Sequence, residues 1–259
     1  MRIVSLACSN TEIVCALGCA HLLVGVDDHS DYPPEVVAEL PKVGPDLGID
    51  IDRVAALEPD LVLATLTVDG HEKVVAGLEQ AGLPYIAPEP VSLDDVYRDI
   101  ADIADRLGVR PRGDDLVARM RATLAAVPPV ERPPRILLQW WPKPVISPGR
   151  LSWMTDVIAA AGGVNPLAEE EVKSRPLSLD EVAALEPDAM VLSWCGVAPD
   201  KVRPEVVRRE AAWQDLPFLR RDHIYCIPEA VTGRPSPRLI EGFRALRQVV
   251  AAVSSGSNS

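Results

Sequence analysis

The heptapeptide VAALEPD occurs twice in this chain, as Val54–Asp60 and again as Val182–Asp188. Each copy lies in a longer frame, IDIDRVAALEPDLVLATL or LSLDEVAALEPDAMVLSW. Both frames predict a helix, a proline that ends it, and then a buried strand. Solenoid repeats recur about every 20–50 residues, whereas these copies lie about half the chain apart. The repeat therefore predicts two lobes of similar topology.

Short apolar stretches bounded by turn residues alternate with segments of helical periodicity along both halves of the chain. Such alternation builds a mostly parallel sheet in an α/β fold. Between the halves, RGDDLVARMRATLAAVPP predicts a joining helix that two prolines end. We therefore predict an N-terminal lobe over residues 1–110, an interlobe helix over 111–130, a C-terminal lobe over 131–253 and a disordered tail over 254–259.

The net charge of −12 is concentrated in the first half of the chain. Lys and Arg number 10 against 22 Asp and Glu up to Val130, and 16 against 16 from Glu131 onward. A surface that follows nucleic-acid phosphates would be basic, so the charge argues against a nucleic-acid partner. No apolar run approaches the roughly 20 residues that a membrane-spanning helix needs. The sequence therefore indicates a protein that does not span a membrane.

The N-terminus does not have the pattern of a secretory signal peptide, because Met1 is followed at once by a predicted buried strand, Ile3–Ala7. The cysteines are five in number and form no CxxC pair, so they predict no disulfide framework. These features favour a cytoplasmic protein. If a signal peptide has been removed from the sequence, the protein is instead periplasmic or otherwise extracytoplasmic.

Common enzyme signatures are absent from the sequence: it contains no GxGxxG after a strand, no GxxxxGK[ST], no HExxH and no GxSxG. The four histidines are scattered, and no metal site is predicted from them. His71 follows a predicted strand, and with His29 it could form a haem or metal pair. The absence of catalytic motifs favours a protein that is not an enzyme.

Seven segments in order resemble the class III substrate-binding proteins of ABC importers, most closely the cobalamin-binding members. They are RIVSLACSNTEIVCALG, VGVDDHSDYPPEV, IDIDRVAALEPDLVLA, RILLQWW, AAAGGVNP, LSLDEVAALEPDAMVLSW and GRPSPRLIEGF. The resemblance runs from about Arg2 to Val253. It implies two Rossmann-like lobes bridged by one rigid helix, with a ligand held between the lobes and little hinge motion.

The resemblance places the ligand-binding residues on loops that follow strands. His29 stands at the position of an aromatic residue that meets the corrin, where an imidazole could stack or bind cobalt. The same histidine could instead serve only the hydrogen bonds of its loop. Trp140 and Trp141 should point to opposite faces of a strand, so that one packs in the core and one contacts ligand. The predicted ligand-binding residues are His29, Tyr32, Trp140, Trp141, Arg175, Trp194 and Arg234.

The sequence departs from the cobalamin-binding pattern at four of its positions. Tryptophans of those proteins correspond to Asp46, Thr65 and Arg175 here, and a glutamate beside the family arginine corresponds to Gly233. The predicted site is therefore less aromatic and more polar than theirs. This difference implies a lower affinity for the same ligand or a different ligand.

The two copies of the repeat also carry a predicted docking surface. Asp52 and Asp180 occupy equivalent positions, where the family has paired glutamates that contact arginines of the permease. Local helix capping is the alternative explanation of both segments. Asp50 fits an N-cap, and Ser178 with Glu181 fits a capping box. An acidic first helical turn is favourable in either case.

The resulting hypothesis is a monomeric, non-enzymatic binding protein that holds a corrinoid for an ABC importer and requires no cofactor of its own. Aromatic stacking and arginine hydrogen bonds would supply the specificity. Two alternatives stay open at this point. One is a haem or ferric-siderophore binding protein of the same fold, in which His29 and Tyr32 bind iron. The other is a cytoplasmic enzyme or chaperone that processes corrinoids.

Overall fold

The computed structural model describes residues 1–125 and 130–256. The chain divides into two compact units. The first unit contains Met1–Pro90 and Asp95–Arg119, and the second contains Val91–Asp94 and Met120–Ser259. Both units contain parallel sheets and helices, so the α/β class and the two-lobed organisation are confirmed.

The first unit is built on one parallel sheet of four strands in the order β2-β1-β3-β4. The strands are β1 (Ile3–Ser5), β2 (Leu23–Val26), β3 (Leu61–Leu63) and β4 (Tyr85–Ile86). The helices of this part of the chain are α1 (Cys8–Ala16), α2 (Pro34–Val37), α3 (Ile51–Ala56), α4 (His71–Gln80), α5 (Leu93–Arg106) and α6 (Arg110–Ala125), with a 3-10 turn at Ala20–Leu22.

The core of the first unit contains the first copy of the repeat. Val54 of α3 is fully buried and packs with Val4 and Val62 of the sheet and with Leu78 of α4. Strands β1 and β3 are buried along their whole length, as the uninterrupted apolar runs predict for a parallel sheet covered on both faces.

The second unit contains two sheets. The parallel sheet has the order β10-β9-β5, and an antiparallel sheet has the order β6-β7-β8. The strands are β5 (Ile136–Gln139), β6 (Trp141–Pro142), β7 (Val145–Pro148), β8 (Ser174–Leu177), β9 (Ala189–Leu192) and β10 (Ile224–Cys226). The helices are α7 (Trp153–Ala160), α8 (Leu179–Ala184), α9 (Glu205–Arg208), α10 (Pro217–Arg220) and α11 (Leu239–Gly256), with 3-10 turns at Pro199–Lys201, Ala211–Trp213 and Glu229–Val231.

The second copy of the repeat contributes to the core of the second unit in the same way as the first copy. Val182 of α8 is fully buried and belongs to a cluster with Leu137, Met190 and Phe218. The cluster also contains Val145 of β7, so the antiparallel sheet shares this core. The antiparallel sheet was not predicted from the sequence.

Helix α6 covers most of the segment 111–130 that the sequence predicts as an interlobe helix. Residues 126–129 of the predicted segment lie outside the described residues. Gly113 lets α6 approach α5 closely, because a Cβ at this position would lie 2.4 Å from the Cβ of Ala104. The predicted disordered tail begins at Ser254, but α11 continues to Gly256. No helix of the described residues is long and apolar enough to cross a bilayer.

Candidate functional site

A buried polar network positions the loop after β2, at the carboxyl edge of the first sheet. The Ser30 hydroxyl donates to Oδ1 of Asp27, and the Thr11 hydroxyl lies 2.8 Å from the hydroxyls of both Ser5 and Ser30. The ammonium group of Lys42 donates to the main-chain oxygen of Ser30 at 2.7 Å. All these groups except Lys42 are buried, so the loop has a fixed conformation.

Asp27 is the carboxylate at the centre of this network. Its side chain is fully buried, and burial raises its pKa, because a low dielectric disfavours the charged form. Hydrogen bonds from Ser30 and from the main-chain N–H of His29 oppose that shift. The 3.0 Å bond from the His29 N–H also holds the next residue of the loop in place.

Two histidines lie near the carboxylate of Asp46, each beside a different oxygen. Nε2 of His29 lies 3.8 Å from Oδ1, and Nε2 of His71 lies 3.9 Å from Oδ2. The His29 ring is 59% exposed, whereas the His71 ring is 5% exposed. Interaction with His71, and then a hydrogen bond from the Leu47 N–H, lowers the pKa of Asp46. Asp46 stands where the resemblance implies a tryptophan. It is therefore a charged centre at this edge of the sheet.

His71 is a histidine whose environment the sequence did not predict. Its Nδ1 accepts a hydrogen bond from the N–H of Val68 at 3.3 Å, so the neutral ring carries its proton on Nε2. That nitrogen is buried and has no hydrogen-bond partner among the described residues. The 3.9 Å to Asp46 is too long for a hydrogen bond. His71 therefore supports Asp46 electrostatically and presents little surface of its own.

Tyr32 lies in the same loop as His29 and is 41% exposed, so both predicted ligand contacts of the first unit are accessible. The described residues contain no group of three or more His, Cys, Asp or Glu side chains that could hold a metal ion.

The adjacent tryptophans follow β5 at the carboxyl edge of the second unit's parallel sheet. Trp140 is half-buried, and Trp141 is 42% exposed. The main-chain N–H of Trp140 donates to Ile146 at 2.7 Å, which turns the chain into the antiparallel sheet. Neither ring is a fully buried core residue, which differs from the expectation that one of them packs in the core. Both therefore have surface available for a ligand.

The structure does not support the predicted ligand contact of Trp194. Its ring is 6% exposed and packs in the core cluster of the second unit. Its Nε1–H donates to Oε1 of Gln139 at 2.8 Å, so the polar atom of the ring also has an internal partner. A buried indole with a satisfied N–H is typical of a core residue.

Arg175 is engaged by two carboxylates. Its guanidinium donates to both oxygens of Glu170 and, at 2.8 Å, to Oε1 of Glu181. These bonds raise the pKa of Arg175, with Glu170 as the first cause, and lower the pKa of Glu170. The pKa of Glu181 is lowered first by the hydrogen bond from the Ser178 N–H and then by Arg175. Arg175 therefore links the start of β8 to the first turn of α8. A ligand would compete with these carboxylates for its donors.

Arg234 lies beside Glu229, a residue that the sequence analysis did not include in the site. Nε of Arg234 is 3.7 Å from Oε2 of Glu229, and the two side chains are 11% and 21% exposed. A Cβ on Gly233 would lie 2.6 Å from Oε1 of Glu229, so the glycine makes room for this side chain. Gly233 stands where the resemblance implies a glutamate. The structure thus supplies a carboxylate from four residues earlier in the chain.

Cys195 follows β9 at the same edge of the sheet and is exposed as a residue. Desolvation of its thiol, and then the negative charge of Glu229, raise the pKa of the thiol. The thiol is therefore neutral at physiological pH, when it is a poor nucleophile and a poor metal ligand.

Residues other than the two predicted docking aspartates, Asp52 and Asp180, cap helices α3 and α8. Asp50 accepts from the N–H of Arg53 at 3.1 Å, and Ser178 forms a complete capping box with Glu181. Asp52 and Asp180 are exposed in the first turns of these helices. Capping therefore accounts for Asp50 and Ser178 and leaves Asp52 and Asp180 available to a partner.

The periplasmic binding protein family matches residues 3–231, which are most of the chain. A vitamin B12-binding protein of Vibrio parahaemolyticus is 28% identical over 246 residues, which are 93% of this chain and 86% of that protein. An uncharacterised ABC transporter substrate-binding lipoprotein, YvrC of Bacillus subtilis, is 27% identical over 96% of this chain and 79% of its own length.

Solved structures of the same fold also match almost the whole chain. The periplasmic heme-binding protein RhuT from Roseiflexus sp. RS-1, in its apo form, has a TM-score of 0.81 and is 28% identical, over 97% of this chain and 98% of that one. The periplasmic vitamin B12 binding protein BtuF of Vibrio cholerae has a TM-score of 0.76 and is 24% identical, over 98% and 97% of the two chains.

Proposed function

Because this chain belongs to the periplasmic binding protein family, we propose that it binds a corrinoid of the cobalamin type and delivers it to an ABC importer. The chain is a substrate-binding protein of the ABC importer type, and the corrinoid is the part of the function that we propose. Support for the ligand comes from vitamin B12-binding relatives that align with more than nine-tenths of the chain.

The acidic carboxyl edge of the first unit is the observation that carries this proposal. Asp28 and Asp46 lie there with at least partly exposed side chains, and the pKa of Asp46 is lowered. Haem carries two carboxylates, which these aspartates would repel. A corrinoid presents neutral amides around its ring, and amides can donate hydrogen bonds to carboxylates. The edge is therefore better suited to an amide-bearing ring than to a dicarboxylate.

In the second unit, Arg234 and Glu229 supply complementary hydrogen-bonding groups. A primary amide has one acceptor and two donor hydrogens, and the guanidinium and carboxylate can satisfy both kinds of group. Trp140 directly follows β5, at the carboxyl edge of the parallel sheet, and its ring supplies an aromatic surface there. Such rings bind flat apolar surfaces. We propose Trp140, Trp141 and Arg234 as the ligand contacts of this unit, with Arg175 available only if it leaves its glutamates.

Calorimetric titration of the purified, ligand-free protein with cyanocobalamin tests the proposal. We expect a single site with sub-micromolar affinity, about −8 kcal/mol or stronger. Haem and a ferric hydroxamate siderophore are titrated in parallel, and we expect weaker binding of haem. The absence of heat with cyanocobalamin, together with tight binding of either iron ligand, would overturn the corrinoid assignment.

Single substitutions then test the contacts of the second unit. Trp140→Ala and Arg234→Ala should each weaken cyanocobalamin binding by about 1–3 kcal/mol, because each removes a stacking surface or a charged hydrogen-bond donor. Arg238→Ala is the matched control, because Arg238 pairs with Glu241 in its own helix region at 3.2 Å. Trp141→Ala decides whether the second exposed ring contributes. Wild-type affinity in the Trp140 and Arg234 variants would remove both from the site.

His29 is proposed to contact the metal centre of the ligand, because its ring is the more exposed of the two at Asp46. Hydroxocobalamin has an exchangeable axial ligand, whereas the cyanide of cyanocobalamin exchanges slowly. A change in the visible spectrum with hydroxocobalamin, lost in His29→Ala, is the expected result. An unchanged spectrum in the wild-type protein would assign His29 to loop hydrogen bonding.

A haem or ferric-siderophore ligand is the second candidate, and the similarity to RhuT favours it. In that case the exposed His29 and Tyr32 would bind iron. Haem binding with a Soret shift that Tyr32→Phe or His29→Ala abolishes would support this alternative and exclude the corrinoid.

We further propose that the protein acts outside the cytoplasm, since the relatives include a lipoprotein of an ABC transporter. A cytoplasmic corrinoid-processing enzyme has no support among the relatives described above. Recovery of the native protein in the periplasmic or membrane-anchored fraction is the expected outcome. Conversion of bound hydroxocobalamin to a new product by the protein alone would contradict a purely binding role.

A further inference from the structure

A pocket of about 290 Å³ lies in the second unit, beside the first turn of α8 and helix α9. Its walls are mainly apolar and include Leu177, Leu179, Val206, Val207 and Trp213. Leu179 and Val206 are 39% and 36% exposed, so the pocket opens to solvent. Its volume lies near the lower end of the range for small-molecule sites. No residue of the proposed corrinoid site lines it.

Gln139 provides a buried polar group in the lining of this pocket. Its side chain is 1% exposed, and its Oε1 accepts from Nε1–H of Trp194 at 2.8 Å. An indole N–H can only donate, so the atom of Gln139 that accepts from Trp194 is the amide oxygen, Oε1. The other polar atom of the amide is Nε2. The one side-chain hydrogen bond of Gln139 among the described residues is this one. Because Gln139 lines the pocket, its amide N–H groups are candidates to donate to an acceptor atom of a ligand.

A second hollow of about 530 Å³ continues the pocket at its rim. The two share Lys143, Val206 and Glu210 in their linings. The hollow adds Arg203 and Arg209, so three cations lie around it. Within residues 1–125 and 130–256, neither Lys143 nor Arg209 has a carboxylate partner within 4.0 Å. These two charges are available to an anion.

The acidic residues of the hollow do not neutralise these cations. Glu205 pairs instead with Arg208 at 3.3 Å, and Glu210 accepts from the N–H of Ala212. Arg203 donates to the main-chain oxygens of Asp200 and Val202, so it keeps its full charge. The rim of an otherwise acidic protein therefore carries three cations against two carboxylates, with no ion pair between them among the described residues.

We propose that the pocket and the hollow together bind a small amphiphilic organic anion. Its apolar body occupies the pocket, an acceptor atom meets Nε2 of Gln139, and a carboxylate or phosphate group lies against Lys143 and Arg209. A hydrogen bond to a charged partner is stronger than one between neutral groups, so the anionic group adds to the burial of the apolar body. A neutral ligand would leave the cations unused. This site is separate from the proposed corrinoid site and does not depend on it.

Titration followed by amide NMR shifts tests the proposal, with octanoate, octyl phosphate and octanol as probes. We expect saturable shifts at residues 177–179 and 206–210, with a dissociation constant of about 1 mM or lower for the better anion. The octanoate and octyl phosphate titrations decide between a carboxylate and a phosphate. Octanol should bind at least about tenfold more weakly, since it lacks the charge. Excess cyanocobalamin should not displace the probes.

Lys143→Gln removes one rim charge at an exposed position and should weaken binding of the anion about tenfold or more. Arg221→Gln is the matched control, because it removes one exposed cation from the same unit outside both linings. Gln139→Glu keeps the acceptor for Trp194 and replaces the amide donor with a carboxylate, so it should also weaken binding. If that buried change unfolds the protein, the Lys143 variant still decides the outcome.

Three results would overturn the proposal. These are the absence of saturable shifts with both anions, octanol binding as tightly as octanoate, and affinities that Lys143→Gln leaves unchanged. Binding of an acidic peptide of apolar sequence at residues 206–210, with no binding of the small anions, would identify the groove as a polypeptide docking site instead.

Discussion

The two units have the same structural contact at the start of their sheets. In the first, Oδ2 of Asp60 accepts from the main-chain N–H of Arg2 at 2.6 Å. In the second, Oδ2 of Asp188 accepts from the N–H of Arg135 at 2.8 Å. In both, the aspartate N–H donates back to the arginine carbonyl oxygen at 2.8 Å. The last residue of each VAALEPD copy therefore aligns the next strand with its neighbour.

The side chains of Arg2 and Arg135 also make equivalent contacts in the two units. The guanidinium of Arg2 donates to the carbonyl oxygen of Leu57, and Nε of Arg135 donates to that of Leu185. These carbonyls belong to the C-caps of α3 and α8, whose free oxygens favour a cation. Each arginine thus joins the end of a helix to the first strand of its unit.

The two units share these contacts at the start of their strands, but the carboxyl edges of their sheets differ. The first unit presents carboxylates and histidines after β2 and β3, whereas the second presents tryptophans and an arginine–glutamate pair. The repeat therefore specifies how helix and strand pack, and the loops at the other end of the strands specify the chemistry. Changes in the repeat should affect stability or docking, and changes in the loops should affect ligand affinity.

We expect the largest change in activity from substitutions at the predicted docking residues, Asp52 and Asp180. Asp52→Lys with Asp180→Lys should abolish uptake by the cognate importer in proteoliposomes, because two attractive charges become repulsive. Each single variant should lose only part of the activity if both units contribute. Affinity for cyanocobalamin should stay unchanged, since neither residue is proposed to contact ligand. Asp105→Lys, an exposed aspartate of α5, is the matched control.

Normal uptake by the double variant would remove the docking assignment from both helices. Loss of uptake in only one single variant would show that the repeated helices are not equivalent in docking.

Asp188→Ala should destabilise the second unit by about 1.5–3 kcal/mol, because it removes a charged acceptor of a main-chain N–H. Asp60→Ala should cost the first unit less, since Asp60 is 59% exposed and water can replace it. All five tryptophans lie in the second unit, so their fluorescence during urea unfolding reports on that unit. Hydrogen exchange of β1 and β3 reports on the first.

Asp215→Ala serves as the control, because Asp215 is 92% exposed and makes a surface ion pair worth less than about 1 kcal/mol. Equal destabilisation by Asp60→Ala and Asp188→Ala would contradict the role given to exposure.

The parallel part of the fold could be predicted because its apolar runs and helix-ending prolines are local signals. The antiparallel sheet could not, because its strands are only 2–4 residues long and contain Pro142, Pro148 and Pro176. Proline removes a backbone donor and is normally confined to strand edges and ends, so these segments resemble loops. Their pairing depends on the core residue Val145, which is fixed only by tertiary packing.

The candidate site was predictable in its loops but not in its partners. The family resemblance placed His29 and Arg234 in the site, yet nothing local indicated that Asp46 would lie near two histidines. Glu229 could have been considered, because it lies four residues before Gly233, at the start of the 3-10 turn Glu229–Val231. Whether an arginine is free, as opposed to held like Arg175, depends on side-chain geometry that a sequence does not contain.

The units should also differ in their response to pH. Burial, and then repulsion by Asp95, raises the pKa of Asp99 in the first unit to about 7. Its folded pKa exceeds its ordinary value of 3.8, so stability falls as pH rises from about 4 to 7. The lowered pKa values of Glu170 and Glu181 act oppositely in the second unit, where stability is lost as pH falls below their ordinary value of 4.5.

Asp99→Asn should therefore stabilise the first unit at pH 8, by about 1 kcal/mol after allowance for solvent screening, and should have little effect at pH 4. Hydrogen exchange of α5 at the two pH values measures the change. Asp105→Asn, on the exposed side of the same helix, should have no such pH dependence. An equal effect of Asp99→Asn at both pH values would show that its carboxylate titrates normally.

The smallest expected effect tests how closely the repeat copies agree. Glu58 and Glu186 have φ angles of 46° and 45°, in the left-handed region where a Cβ is unfavourable. Glu58→Gly and Glu186→Gly should each stabilise their unit by roughly 0.5–1 kcal/mol, because relief of strain exceeds the added entropy of the unfolded chain. Both side chains are exposed, so their removal costs few contacts.

Ala55→Gly and Ala183→Gly are controls within the same heptapeptides, and they should destabilise α3 and α8 by about 0.5–1 kcal/mol. The sign of the glycine effect should therefore reverse within three residues in both copies. A glycine that stabilises one copy and destabilises the other would mean that the identical heptapeptides do not share one backbone conformation. Equal gains would mean that the heptapeptide sets the helix end independently of the different loops around it.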